Sequence, residues 1–302
     1  MHALRPVRVL AAAVLLLSAS TVGLAGSGAR TVEVRTRITI ENPTAEPVTN
    51  LVLTLPAAAA EAGGQRLRGA PQRSVPTGVR MRPARGGITF EVAQVPPGET
   101  LVIEEVLVVE LSAAQGSGVA TRAAVGPVHE RYLAAEPGVE SDHPGISALA
   151  RGAVAGAAGV DQQVEALLHA VVTHLDYGRT GAAEGALAGF EKGVGSCGTY
   201  ASLFVAMARA VGIPARLVYG WADSGGLAGP LGPENRHAWA EYYHPDRGWV
   251  PVDPTFAERQ RDLLFFDPAA HIAQGYEDVS HQASFGGRGL VTIRVEREVA
   301  AR

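Results

Sequence analysis

The chain has 302 residues, 47% of them hydrophobic and 19% charged, a balance that excludes a disordered chain, a collagen-like repeat and a multi-span membrane protein. Acidic residues outnumber basic ones 30 to 26, and the net charge of −4 argues against nucleic acid as a partner, because phosphate recognition needs a basic field. The single cysteine, Cys197, excludes an internal disulfide and any site built on several cysteines.

Residues 1–30 read as an export segment. Arg5 and Arg8 precede the apolar run Val9–Leu17, and small residues follow at Ser18, Ala19, Ser20 and Gly23-Leu24-Ala25. A positive start, an apolar middle and a small-residue end are the pattern of a secretory signal. The stretch also admits an N-terminal membrane anchor, since no charge falls between Arg8 and Arg30 and the 21 residues between them just reach across a bilayer. Either way the protein is expected to be exported: secreted, periplasmic or in the cell envelope.

A β-rich segment follows over 31–112. Val32, Val34, Ile38 and Ile40 share one parity, with Glu33, Arg35 and Arg37 on the other, the period-2 pattern of a half-buried strand. Leu51–Leu55, Ile88–Val92 and Thr100–Leu111 read as further strands separated by Pro and Gly, which predicts a β-sandwich. No cluster of titratable residues marks a site in it. Residues 113–145, rich in Gly, Ala and Pro, read as a connecting arm. Helices are predicted over Ile146–Val154 and Val164–Leu175, the second from apolar residues at helical spacing.

Gly193-Val194-Gly195-Ser196-Cys197-Gly198-Thr199-Tyr200 opens a third helix that Gly212 and Pro214 stop. Cys197 is then in the first helical turn, where unpaired backbone N–H groups and the positive end of the dipole favour a thiolate. A buried core cysteine is the alternative at this point. Residues 237–243 and 249–256 read as a hairpin around the turn His244–Gly248. With Tyr243 facing Trp249, His237 faces Thr255, and Asp253 is its diagonal neighbour on the same face, within reach of an imidazole. A one-residue slip in register would separate them, and Asp253 before Pro254 also fits a simple turn former. A Cys–His–Asp set has a clear use: the thiolate attacks an acyl carbon, the imidazole moves protons, and the carboxylate orients the imidazole.

Four segments together resemble the bacterial transglutaminase-like superfamily, a branch of the papain-like cysteine enzymes: Gly193–Tyr200, Ala210–Arg216, His237–Glu241 and Gly248–Thr255. The resemblance covers about 145–260 and agrees in order and spacing. It implies an α+β fold in which the sandwich precedes a papain-like transglutaminase core over 146–270, with a helix-borne cysteine packed on an antiparallel sheet carrying His and Asp. It makes Cys197 the nucleophile, His237 the general base and acid, and Asp253 the orienting carboxylate. Tyr177 and Trp239 are supporting candidates, and the Cys197 backbone N–H is a candidate oxyanion donor. The implied activity is acyl transfer through a thioester on a protein or peptide substrate, hydrolytic rather than cross-linking. A non-catalytic envelope scaffold with the same fold is the alternative.

No cofactor is expected: no EF-hand spacing occurs, and His169 and His174, five apart, face different ways on a helix. The Gly/Pro-rich loop 222–236 before His237 reads as a flexible connector or an active-site lid. The C-terminal segment 271–302 contains an expected strand over Leu290–Val295, without an assigned partner.

Overall fold

A computed structural model describes residues 9–10, 29–84, 86–112, 130–178, 185–257, 263–276 and 281–302. Apart from Val9–Leu10, Ala29 and Arg30, the expected export segment lies outside the described residues, as does the arm over 113–129. Among the described residues no helix is long and apolar enough to cross a membrane.

In chain order the main elements are β1 (Arg30–Glu41), β2 (Val48–Pro56), β3 (Gln65–Leu67), β4 (Val79–Ala84), β5 (Gly87–Val95) and β6 (Thr100–Leu111). Then come α1 (Pro144–Ala153), α2 (Val160–His174), β7 (Asp176–Tyr177), α3 (Ala186–Lys192), β8 (Val194–Gly195) and α4 (Cys197–Ala210). They are followed by β9 (Ala215–Ala222), β10 (Arg236–His244), β11 (Gly248–Val252), α5 (Pro254–Ala257), β12 (His271–Gly275), β13 (Gln282–Gly287) and β14 (Thr292–Ala301).

The chain divides into two compact units, neither continuous in sequence. The first comprises 1–112, 221–236 and 269–302; the second comprises 113–220 and 237–268. The division differs from the sequence reading, which ran one core from 146 to 270.

The first unit is a β-sandwich. One sheet contains β14, β1, β6 and β3 in that order, and the other contains β13, β2, β5 and β4. Alternation along β1 points Ile38 and Ile40 inward, where they meet Leu51, Leu53, Phe90 and Val92 of the facing sheet. The outward residues of the same strand carry charge, and Arg37 reaches Glu104 on β6 at 2.7 Å. The two C-terminal strands complete the sandwich. β14 pairs with β1 from Thr292↔Glu41 to Ala301↔Val32, and β13 pairs with β2. The strand that had no assigned partner is thus the neighbour of the first one.

The loop expected to be a connector or lid is built into this unit. Gly229 and Pro230 pair with Val299 and Glu298, the Leu231 N–H donates to the Arg297 carbonyl at 2.8 Å, and Leu227 is buried with Trp221, Ile272 and Val109. Two leucines among the glycines supply the apolar area that holds the segment down.

The second unit packs α1, α2 and α3 around α4. From Thr199 to Arg209 every residue of α4 is buried, as a helix apolar on all sides should be. Its core joins Ile146, Leu167, Leu168, Val171, Leu203, Phe204 and Met207 to Tyr242 and Val252 of the sheet. Arg209 is buried at the end of α4. It donates to the carbonyls of Ala215 and Ala134 at 2.9 and 2.7 Å and pairs with Glu136, so it ties the helix to β9 and to the lead-in before α1.

Candidate active site

The local sequence brings Cys197 to the start of α4. α3 stops at Gly193, whose φ of +67° suits a residue without Cβ. Val194 and Gly195 make a short parallel pairing with Asp176 and Tyr177. Ser196 is extended, and Cys197 is the first residue of the helix. An added Cβ at Gly195 would press on Thr199, so this glycine is required by close approach rather than by its dihedral angles.

β10 and β11 form the expected hairpin in the expected register, with Tyr243 opposite Trp249 and Ala240 opposite Val252. Pairing continues to His244↔Gly248, so the turn proper is three residues rather than five, and Gly248 closes it at φ +73°. β11 is the sheet edge, which tolerates the missing N–H of Pro251. The strand ends at Asp253, and Pro254 begins the one-turn helix α5. Asp253 caps it: its Oδ1 accepts the N–H groups of Thr255 at 2.9 Å and Phe256 at 3.1 Å. Its Oδ2 is 2.7 Å from His237 Nε2. The turn-forming role and the imidazole-binding role of this aspartate coexist, one oxygen each.

His237 hydrogen-bonds on to the Cys197 side chain, so the structure brings the three residues together. Asp253 is 2% exposed and His237 9%. Burial pulls the His237 ring down. The Asp253 charge and hydrogen bond, with the Cys197 interaction, outweigh it and raise the ring to about 10. Burial pushes the Cys197 thiol up. The His237 hydrogen bond and charge, and N–H groups of Ala238 and Gly198, reverse this and hold it below its ordinary range. The arrangement favours a thiolate beside an imidazolium, a nucleophile and an acid ready in one resting state.

Trp239 is buried, its ring 6.2 Å from the His237 ring and 22° from parallel. Tyr177 is 49% exposed on β7, opposite Gly195, with its ring 6.1 Å from Tyr200. The sequence reading missed Phe256. Its ring stacks on His237 at 4.8 Å, also at 22°. A four-residue helix is too short for a periodic signal, and only the nearness of Phe256 to Asp253 in sequence could have pointed to it.

Residues 147–254 match the family model described as the Transglutaminase-like superfamily. Over 73 residues the chain is 41% identical to the protein-glutamine gamma-glutamyltransferase of Pseudomonas aeruginosa, 22% of this chain and 11% of that protein. Over 74 residues it is 36% identical to the uncharacterized protein YebA of Bacillus subtilis, 22% of this chain and 10% of that one. The match thus spans about a tenth of the length of these curated relatives. A crystal structure from Cytophaga hutchinsonii, named as that of a candidate cysteine protease, shares the fold with a TM-score of 0.59 at 20% identity, over 91% of each chain. The chain carries a transglutaminase-like superfamily domain over residues 147–254.

Proposed function

We propose that this protein is an exported cysteine enzyme that hydrolyses an amide bond in a protein or peptide through a thioester. The observation that carries the reading is the continuous chain of contacts from Cys197 at the head of α4 through His237 to Asp253. The Cys197 thiolate attacks the carbonyl carbon, a C–S bond forms, and the carbonyl electrons move to oxygen. The Cys197 N–H, first in its helix and without an intrahelical acceptor, faces that oxyanion. As the C–N bond breaks, the His237 imidazolium gives its proton to the leaving amine. The neutral imidazole then takes a proton from water, the hydroxide adds to the thioester, and the C–S bond breaks to release the thiolate and a carboxylic acid, which loses its proton to solvent. Asp253 stays ionised and holds the ring.

Water is favoured as acceptor because, among the described residues, no second site for an amine is legible beside the triad. The apolar segment near the N-terminus supports export. The relative named as a glutamyltransferase makes a glutaminyl peptide the first substrate to try. Ammonia release and product mass are measured on the purified protein with and without an added primary amine. Wild type is expected to release ammonia and leave a glutamate peptide whether or not the amine is present, and Cys197→Ala is expected to do neither. Capture of the amine in place of water would overturn hydrolysis in favour of cross-linking. Peptide binding without turnover would favour the scaffold.

A further inference from the structure

We infer that Phe256 is a positioning residue for His237, holding the plane of the imidazole so that its second nitrogen meets Cys197. The inference rests on the proposed Cys–His–Asp reading. Three observations on one short segment carry it. The Phe256 N–H donates to Asp253 Oδ1 at 3.1 Å, so the carboxylate that binds the imidazole also fixes Phe256. Pro254 starts the turn that contains Phe256, and its ring fixes the backbone angle at the first helical position. The Phe256 ring then lies 4.8 Å from the His237 ring, 22° from parallel, the geometry of an offset stack.

Such a stack supplies what the other contacts leave open. The Asp253 bond anchors Nε2, which leaves Nδ1 as the nitrogen for Cys197. Hydrogen bonds at Nε2 and Nδ1 lie in the ring plane and leave its face uncovered, and the terminal torsion of histidine has broad wells. A flat ring against its face removes that freedom, and an aromatic face is also a favourable neighbour for a cation. Phe256 is itself only partly buried. Trp239 adds a second near-parallel ring at the longer distance of 6.2 Å.

The test is the pH dependence of Cys197 alkylation by iodoacetamide in the whole protein, for wild type, Phe256→Leu and Phe256→Tyr, with a thermal melt of each. Leucine keeps apolar volume without a flat face, and tyrosine keeps the face. The expected result is that Phe256→Leu moves the lower limb of the profile up by about one pH unit, about tenfold slower reaction on that limb, while Phe256→Tyr stays on the wild-type curve. Phe256→Met gives the same reading if the leucine variant does not fold. Equal movement in the leucine and tyrosine variants, or movement in neither, assigns Phe256 to packing and overturns the inference. A wild-type thiol that titrates only near its ordinary range would instead overturn the triad reading itself.

Discussion

His237 Nε2 lies 2.7 Å from Asp253 Oδ2, with the side chains only 9% and 2% exposed, so the imidazole meets the carboxylate where water screens little of the attraction. This contact is the chief reason that the ring, despite burial, rises to about 10. Asp253→Asn keeps the shape and the helix cap but removes the charge. His237 is expected to fall to its ordinary 6.5 or below. Peptide turnover is expected to fall about 10⁴-fold, the scale seen when a triad aspartate becomes asparagine elsewhere. Imidazole titration by NMR checks the first and steady-state kinetics the second. A variant ring still charged at pH 8 would remove Asp253 from the mechanism.

The ion pair also shapes stability against pH. His237 is raised in the folded state, so its contribution is complete below its ordinary 6.5 and is lost as pH rises through about 10. Cys197 is lowered, so its contribution is complete above its ordinary 9.0 and is lost as pH falls through its folded value. Between 6.5 and 9.0 the pair binds one proton folded and one unfolded, and its contribution is flat. Wild type should therefore show a plateau there, falling on either side with a limiting slope of about 1.4 kcal/mol per pH unit. Cys197→Ala removes the acid-side fall and leaves His237 alone, whose contribution already declines above 6.5. Denaturant unfolding across pH 5–10 compares the two, and parallel curves would show that no ion pair exists.

Much of this site was legible because its signals are local. Gly212 and Pro214 end α4 at a place that leaves Cys197 at its head, and the even register sum of the hairpin brings His237 and Asp253 to one face. Distant pairing left no such trace. β14 lies beside β1 although some 250 residues separate them, and alternation gives a strand's faces without its neighbour. The loop 222–236 reads as a flexible connector or a lid from its glycines and prolines, yet Leu227 and Leu231 hold it to the sandwich. Composition describes what a backbone can do, whereas burial of two side chains decided what it does.

Glu241 is 0% exposed on β10 and accepts from Arg216 Nε and Nη2 at 2.8 and 2.7 Å, while the same guanidinium lies 3.9 Å over the Trp249 ring. Arg216→Met leaves a buried carboxylate without this partner and is expected to cost about 3–5 kcal/mol in urea unfolding. Adding Glu241→Leu should recover most of that loss, because the uncompensated charge is then gone. The lower limb of Cys197 alkylation should be unchanged in the folded double variant. A double variant no more stable than Arg216→Met would show that the Trp249 contact, not the charge, sets the loss.

Thr199 stands two residues beyond Cys197 and is wedged between Gly195 and Gly189; a Cβ at either glycine would press on its side chain. Gly195 cannot retreat, because β8 is paired with β7 and its carbonyl accepts the Gly178 N–H at 3.0 Å. Gly195→Ala should therefore shift the head of α4, cost about 1–3 kcal/mol as an overpacked site, and slow Cys197 alkylation at neutral pH about tenfold. The Thr199 hydroxyl is buried with no hydrogen-bond partner among the described residues, so Thr199→Ala discards no bond in making room. The double variant should regain most of the stability and the alkylation rate, a coupling that two independent sites would not show. Additive losses in the double variant would mean that Gly195 acts through its backbone, and that the wedge against Thr199 does not place the cysteine.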